Sequence, residues 1–352
     1  MAADIRSASH EPGGNGSVPT LADVAKHAGV SLATASRALN GSTRTVNPQL
    51  KAKVEASARQ LHYTANVQAQ AVARGTSRTV ALVLGDIADP YFSAIAAGVA
   101  DAAARRRLIV TMSTAGTEPE HVVETIAALR GQRPSAVIVV GSRYVDDETE
   151  AAIAAELRAV EAQGGRVAMI GAQANGFRAV PVLNADGAAA LADALVGLGY
   201  RDFAVLAGPT SLTTSADRTR GFLAGLAKHD IRPDEASVVT GGFSRQGGYR
   251  DMLRMLDAGI RPECVFAVTD VMAVGAMTAM RERGLTPGVD IAVGGFDDIE
   301  MLQDVVPSLT TVSLPLRELG ERSLELALAE APVEQQPIRG EVTLRDSTPQ
   351  RA

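Results

Sequence analysis

Residues 20–41 read TLADVAKHAGVSLATASRALNG, two short helical patterns split by Gly29. Thr20 stands where an N-cap does, with Asp23 three residues on in the capping-box position. Leu21, Val24, Ala25 and Ala28 then fall on one face of a 3.6-residue repeat. Gly29 ends that helix as a left-handed glycine does. Ser31 caps a second helix from Leu32 to Asn40, and Gly41 follows it. Downstream, Asn47 and Pro48 make a strong helix start, and Leu50, Val54, Ala58 and Leu61 keep the helical spacing. Helices this short are not stable alone in water, so they must pack on one another. Three helices joined by tight turns, the first pair split by a glycine, read as a helix-turn-helix unit with one helix left on display.

The charge of this unit differs from that of the rest of the chain. Within 20–75, Lys26, Arg37, Arg44, Lys51, Lys53, Arg59 and Arg74 oppose only Asp23 and Glu55, whereas the 352-residue chain as a whole carries −6. A small basic head on a large acidic body points to a polyanionic partner for the head. Residues 64–77 hold few large apolar side chains and read as a hinge. There Asn66 caps a short helix through Arg74 that is marginal by itself, and Gly75 stops it. Residues 1–19 read as a polar disordered tail without the apolar stretch of a secretion signal. No run of about 18 apolar residues is present, so nothing in the sequence is expected to span a membrane and the expected location is cytoplasmic. Cys264 is the single cysteine, which excludes an internal disulfide and a cysteine-based zinc site. Aromatic residues make up 3% and Trp is absent, so Ala, Val, Leu and Ile must fill the core.

From Thr79 the pattern changes to apolar runs alternating with helical periods. VALVLGD (80–86), LIVTMST (108–114), AVIVVGS (136–142) and RVAMIGA (166–172) form one series. FAVLAGP (203–209), SVVTGG (237–242), CVFAVTD (264–270) and DIAVGGFDD (290–298) form a second. Helical stretches follow the first three runs of the first series. In the second series they are placed near 186–198, 217–229, 246–257 and 271–283. Strands alternating with helices predict parallel sheets covered on both faces, and the break near 175–185 predicts two of them. The expected fold is an N-terminal all-α helix-turn-helix domain followed by a two-lobed α/β body. Its ligand groups should lie beyond the carboxyl ends of the strands.

The stretch at 20–41 resembles the start of the lac repressor family of bacterial transcription regulators. The likeness continues through DIADPYF (86–92), ALVGLGYRDFAVLAGP (194–209), RTRGF (218–222), FAVTDVMAVGAM (266–277), VGGFDD (293–298), PSLTTVSLPLRELG (307–320) and LRDST (344–348). So many motifs in order make the match specific, and only the tail lies outside it. The resemblance implies a helix-turn-helix DNA-binding domain at 20–63, a hinge helix at 64–77 and a periplasmic-binding-protein-like effector and dimerisation domain at 78–352. The first lobe would be 78–174 with 313–337, the second 175–312 with 338–352. It implies a sequence-specific regulator, a repressor whose hold on its operator is controlled by a sugar or nucleoside between the lobes; an activator of the same family stays open.

The same resemblance assigns residues. Leu32, Ala33, Ser36 and Arg37 would meet base edges in the major groove, Arg37 by two hydrogen bonds to a guanine. Thr20, Ser31, Thr34 and Asn47 would hold phosphates, which position without specifying. Asn66, Ala69 and Val72 would face the minor groove from the hinge. There Val72 replaces the family's leucine wedge and Ala65 its usual proline. The partner is a palindromic double-stranded operator gripped by a homodimer; the leucine-heptad tail of the tetrameric lac repressor is missing. Asp86, Tyr91, Phe92, Arg218, Phe243, Thr269, Asp270 and Asp297 would surround the effector. Arg218 and Asp297 would fix hydroxyls by charge-assisted bonds, with Phe243 or Tyr91 stacking on a sugar face or base. Three bland readings stand beside these: Asp86 as a turn former, Asp270 as the cap of a helix starting at Val271, and Arg218 with Asp297 as a salt bridge. Thr269, Gly171 and Gln173 depart from the family's usual residues.

Two rival classes fit less well. A transporter's solute-binding protein would share the body, but would need a secretion signal and would lack 20–75. An enzyme would need a reactive constellation. The chain has no Walker A pattern, no G-x-G-x-x-G after the first strand, and no triad or metal cluster among His10, His27, His62, His121 and His229. No catalytic residue, metal or cofactor is expected.

Overall fold

The computed structural model describes residues 19–40, 46–64, 78–141, 143–171, 176–331 and 336–351. The tail to residue 18, Gly41, Ala65, the hinge positions Asn66, Ala69 and Val72, and Gln173 lie outside the described residues. The chain divides into two compact units, Met1–Ser77 and Arg78–Ala352.

The first unit contains α1 (Leu21–Ala28), α2 (Leu32–Asn40) and α3 (Pro48–Gln60). The capping box at its start is complete. The Asp23 N–H donates to the Thr20 hydroxyl at 3.3 Å, and the Thr20 N–H donates to the Asp23 carboxylate at 2.8 Å. Gly29 takes φ 61, the left-handed turn that only glycine makes without cost. The Thr34 N–H donates to the Ser31 hydroxyl at 3.1 Å, and the Gln49 N–H donates to Asn47 Oδ1 at 2.8 Å. Val24, Ala25, Ala28, Ala35, Ala38, Val54 and Ala58 form the core, fringed by Leu21, Val30, Leu39, Leu61 and Tyr63. Leu50 keeps the apolar spacing of α3 but is 40% exposed, because it lies in the first turn, ahead of the seam that Val54 and Ala58 bury.

The second unit carries two parallel sheets. In the first lobe, β1 (Thr79–Leu84), β2 (Ile109–Thr114), β3 (Ala136–Val140), β4 (Arg166–Ile170) and β5 (Arg178–Val180) are ordered β2-β1-β3-β4-β5. They are flanked by α4 (Pro90–Arg105), α5 (Pro119–Gly131) and α6 (Asp147–Ala162). In the second lobe, β6 (Phe203–Leu206), β7 (Val238–Val239), β8 (Cys264–Ala267) and β9 (Ala292–Gly294) are ordered β7-β6-β8-β9. Their helices are α7 (Asn184–Gly197), α8 (Thr213–Ala227), α9 (Arg245–Asp257) and α10 (Asp270–Glu282). After β10 (Thr311–Ser313) the chain returns to the first lobe as α11 (Leu316–Leu328), packed on α4 and against β3, β4 and β5. It comes back through an Ile338–Val182 bridge to β11 (Glu341–Thr343), antiparallel to β10.

Several elements differ from their sequence expectation. The strand expected at 237–242 shrinks to β7, because Gly241 and Gly242 leave the sheet to pack on Asp251 and Gly247, where a Cβ would collide. Helix α8 begins at Thr213 rather than 217, since its first N–H finds an acceptor in Arg143 of the other lobe, a contact no local pattern encodes. Strands β5, β10 and β11 are three residues each, too short to show a period.

The aromatic-poor composition is answered by close helix contacts. A Cβ on Gly320 of α11 would drive into the carbonyl oxygen of Ile95, and one on Gly98 of α4 into that of Arg317. Gly320→Ala therefore overpacks the α4–α11 seam. It should lower the stability of the body by about 1–3 kcal/mol, read as a reduced urea midpoint with an unchanged m-value.

Candidate functional site

On the first unit, α2 turns Ala35 and Ala38 into the core and leaves Leu32, Ala33 and Arg37 exposed, with Ser36 half-buried beside them. Leu32 is 54% exposed. A leucine and an arginine on the same solvent face of a nine-residue helix suit a surface that another molecule covers. Thr20, Ser31 and Asn47 all sit at helix starts. Their side-chain oxygens already serve the caps, and the Ser31 and Thr34 hydroxyls are joined at 2.8 Å. These N-termini carry the positive end of the helix dipole and unpaired N–H groups, which favour an anion.

On the second unit, a cavity of about 600 Å³ lies among the carboxyl ends of the strands. From the first lobe it is lined by Val83 and Leu84 of β1, Asp86, Phe92, the segment after β2 and the segment after β3 with Arg143 and Tyr144. From the second lobe it receives Leu212, Phe243, Gln246 and Val271. Of the residues read from the sequence, Asp86, Phe92 and Phe243 line it. Arg218, Thr269, Asp270 and Asp297, all buried, and the half-buried Tyr91 lie outside this lining. The Tyr91 ring meets Phe92 edge-on, with centroids 5.1 Å apart. Burial and the nearby Asp297 charge push the Tyr91 hydroxyl far up. Burial also raises the Asp89 carboxyl, although it caps α4 by accepting the Tyr91 N–H at 2.9 Å.

Arg218 makes the salt bridge that the bland reading had placed there, and more. Its Nη2 donates to Asp297 at 2.7 Å, its Nη1 to the Val268 carbonyl at 2.8 Å and its Nε to Asn184 Oδ1 at 2.9 Å. The guanidinium lies 3.9 Å over the Phe296 ring. Asp297 takes φ 120 and Asp298 φ 59, two successive left-handed residues, the second tied to Arg345 at 2.7 Å. Burial raises the Asp297 carboxyl to about 6, with Arg218 opposing it. Asn184, Phe296, Asp89, Arg143, Tyr144, Glu150 and Leu212 were not singled out in the sequence. Asp89, before Pro90, carried a visible cap signal; the others become neighbours only through the fold.

Asp270 does not cap α10. The cap is Thr269, whose hydroxyl accepts the Met272 N–H at 3.4 Å. Asp270 instead staples two later segments, accepting the Thr311 hydroxyl at 2.6 Å and the Ile299 N–H at 3.1 Å. Burial first, and the Asp297 charge second, push its carboxyl up to about 8. An aspartate near 4 when unfolded and near 8 when folded binds its proton more tightly in the fold, so this residue lowers stability as pH rises between those values. Urea midpoints should fall from about pH 4 to about pH 8, and Asp270→Asn should flatten that slope.

Among the described residues, no helix is long and apolar enough to cross a membrane, and no group of three His, Cys, Asp or Glu is placed to hold a metal. The profile of the bacterial regulatory proteins of the lacI family matches residues 20–66, and that of the periplasmic binding protein-like domain matches 192–348. The chain is 32% identical over 311 residues to the HTH-type transcriptional regulator GalS of Salmonella typhimurium, covering 88% of this chain and 89% of that protein. It is 30% identical over 315 residues to the transcriptional repressor CytR of Escherichia coli, with the same coverage. It resembles the lac repressor dimer bound to operator and the anti-inducer ONPF with a TM-score of 0.79, at 29% identity over 95% of this chain and all of that one. With such identity over nearly the whole length of its relatives, and with a helix-turn-helix unit ahead of a two-sheet body, the chain belongs to the lacI family of bacterial regulatory proteins and is a transcriptional regulator, not an enzyme.

Proposed function

We propose that the chain is a repressor whose head, 20–63, reads a palindromic operator and whose body, 78–352, takes a sugar or nucleoside that decides whether two copies hold the DNA. The observation that carries this reading is the exposed face of α2, with Leu32 uncovered beside Arg37. Arg37 donates to a guanine edge, Leu32 and Ala33 make apolar contacts such as to a thymine methyl, and Ser36 completes the base-facing set. Thr20, Ser31, Thr34 and Asn47 sit on phosphates, aided by the helix starts they occupy. The hinge, 64–77, with Asn66, Ala69 and Val72, enters the minor groove only when paired with its copy. One recognition helix binds too weakly alone, so a homodimer spanning two half-sites supplies the affinity. Work on chromosomal DNA places the protein in the cytoplasm.

In the body, the first lobe runs from 78 through β5, which pairs with β4 and so carries the boundary past the 174 expected from the sequence, and adds 313–337; the second takes the residues after β5 to 312, with 338–352. Asp86, Phe92 and Phe243 touch the effector at the cavity wall, and Tyr91, Arg218, Thr269, Asp270 and Asp297 shape the layer behind or reach it when the lobes shift. Structural neighbours described as a transcriptional regulator CelR–cellobiose complex and as a LacI family transcriptional regulator with bound ribose support a small polar effector. The effector acts only through its different affinities for the two arrangements of the lobes.

The test separates the two units. Selection of operators from a random duplex pool should return near-palindromes, with binding that weakens steeply with salt. Arg37→Ala should lose at least about 1–3 kcal/mol of discrimination at one base pair per half-site while keeping effector-induced thermal stabilisation. Arg218→Lys should keep operator selectivity and lose the response to sugars or nucleosides. An Arg37→Ala variant that selects the wild-type operator would refute the assignment of α2.

A further inference from the structure

Two loops from different lobes meet at the cavity wall. One is the segment 143–146 after β3; the other joins β6 to α8 (residues 207–212). The Val145 N–H donates to the Ser211 carbonyl at 2.8 Å, and the Thr213 N–H donates to the Arg143 carbonyl at 2.8 Å. The Thr213 hydroxyl reaches the same oxygen at 3.1 Å. Tyr144 and Leu212 thereby form an antiparallel bridge between lobes whose own strands are parallel. Leu212 comes from the second lobe, yet its side chain, 2% exposed, joins the hydrophobic core of the first.

The two sides of this contact are built differently. The first-lobe loop is braced: the Tyr144 N–H donates to Glu150 Oε1 at 2.8 Å, Arg143 pairs with the same carboxylate at 2.9 Å, and the Tyr144 hydroxyl donates to the Thr117 carbonyl at 2.8 Å. The second-lobe loop has Gly208 at φ 67 followed by Pro209 and is held without a carboxylate: the Ser215 hydroxyl donates to the Ala207 carbonyl, and the Gly241 and Leu212 N–H groups donate to the Gly208 and Pro209 carbonyls at 3.4 Å. Tyr144 and Leu212 also line both the 600 Å³ cavity and a smaller pocket of about 250 Å³ beyond it. The bridge is thus a wall that the two pockets share.

We propose that the Tyr144–Leu212 bridge is a latch. Parting of 143–145 from 211–213 widens the way into the cavity, and the strength of this seam sets the rate of small-molecule exchange and the hold of one lobe on the other. The inference rests on reading the cavity as the effector site. Two main-chain bonds and one buried leucine make a contact of suitable strength, because each hydrogen bond contributes only a modest net amount. Glu150 keeps the first-lobe side fixed, so the moving part is the loop that carries Leu212.

Two variants of the full chain test it. Thr213→Pro removes both bonds to Arg143 and suits the fold. Thr213 is the first residue of α8, where proline is favoured, and Leu212 at φ −98, ψ 124 has the extended backbone that precedes proline. Tyr144→Cys with Leu212→Cys replaces a directly opposed, non-hydrogen-bonded pair, whose Cα atoms stand about 4.5 Å apart in such ladders, within reach of a disulfide. Cys264, fully buried, does not compete. The probe is 1-anilinonaphthalene-8-sulfonate, followed by stopped-flow fluorescence as it enters the apolar chamber. Thr213→Pro should speed uptake roughly fivefold or more. The double variant should take up probe at least about tenfold more slowly when oxidised than after dithiothreitol. Equal rates in the oxidised and reduced protein overturn the latch. If instead the latch gates the probe but no sugar or nucleoside stabilises the protein, the effector reading fails and the latch stands.

Discussion

The guanidinium of Arg218 is the constraint on which the second lobe depends. It sits in α8 but binds Asn184 at the start of α7, the Val268 carbonyl just beyond β8 and Asp297 beyond β9. A buried cation is tolerated only when its donors are all engaged and a counter-charge is at hand. Here the geometry works in reverse as well, since the cation fixes the strand ends around it. Asp297 and Asp298 adopt left-handed backbone angles that an unsupported loop would relax, and ion pairs to Arg218 and Arg345 hold them. Phe296, under the guanidinium, and Asp270, stapling Ile299 and Thr311, extend the same frame to the chain segments that cross toward the first lobe. The cavity wall is therefore backed by a rigid polar layer.

The rest of the packing follows from a chain that has few large side chains to spend. Helix seams in the body close on glycine and alanine: Gly98 against Gly320's helix, Gly221 against Ala185, Gly275 against Arg245. Close approach brings many backbone atoms into van der Waals contact and makes up for missing aromatic bulk. The first unit has the same habit on a smaller scale, with five alanines among its buried core residues. Such a core leaves little margin, and the unit still exposes Leu32 and Leu50. That arrangement suits an element whose face is completed by a partner.

What could be seen in advance was what is written locally. The helix starts at Thr20, Ser31 and Asn47 and the turn at Gly29 lie within a few residues of the groups they satisfy, so the first unit was readable nearly residue by residue. Long apolar runs such as VALVLGD announced buried parallel strands, and Thr269 and Asp297 were correctly placed near strand ends. The reading weakened wherever a segment's partner is distant. Arg218 and Asp297 are 79 positions apart, and nothing in their spacing shows that they pair with each other outside the cavity lining. Tyr144 and Leu212 carry no motif; their meaning comes from two lobes facing one another. Short crossing strands such as β10 and β11 have no period to detect.

Helix α8 has no side chain of its own to close its start, because Leu212 offers no oxygen there. Its first amide is satisfied by the Arg143 carbonyl from across the divide, so part of one lobe's secondary structure is finished by the other. Helix ends leave such amides wanting an acceptor. If the halves separate, that amide passes to water and the opening turn of α8 is free to fray. Arg218 lies only a few residues further along the same coil. Separation is thereby transmitted along a single helix to the cation that organises the second lobe, with no need for a chain of intermediary side chains.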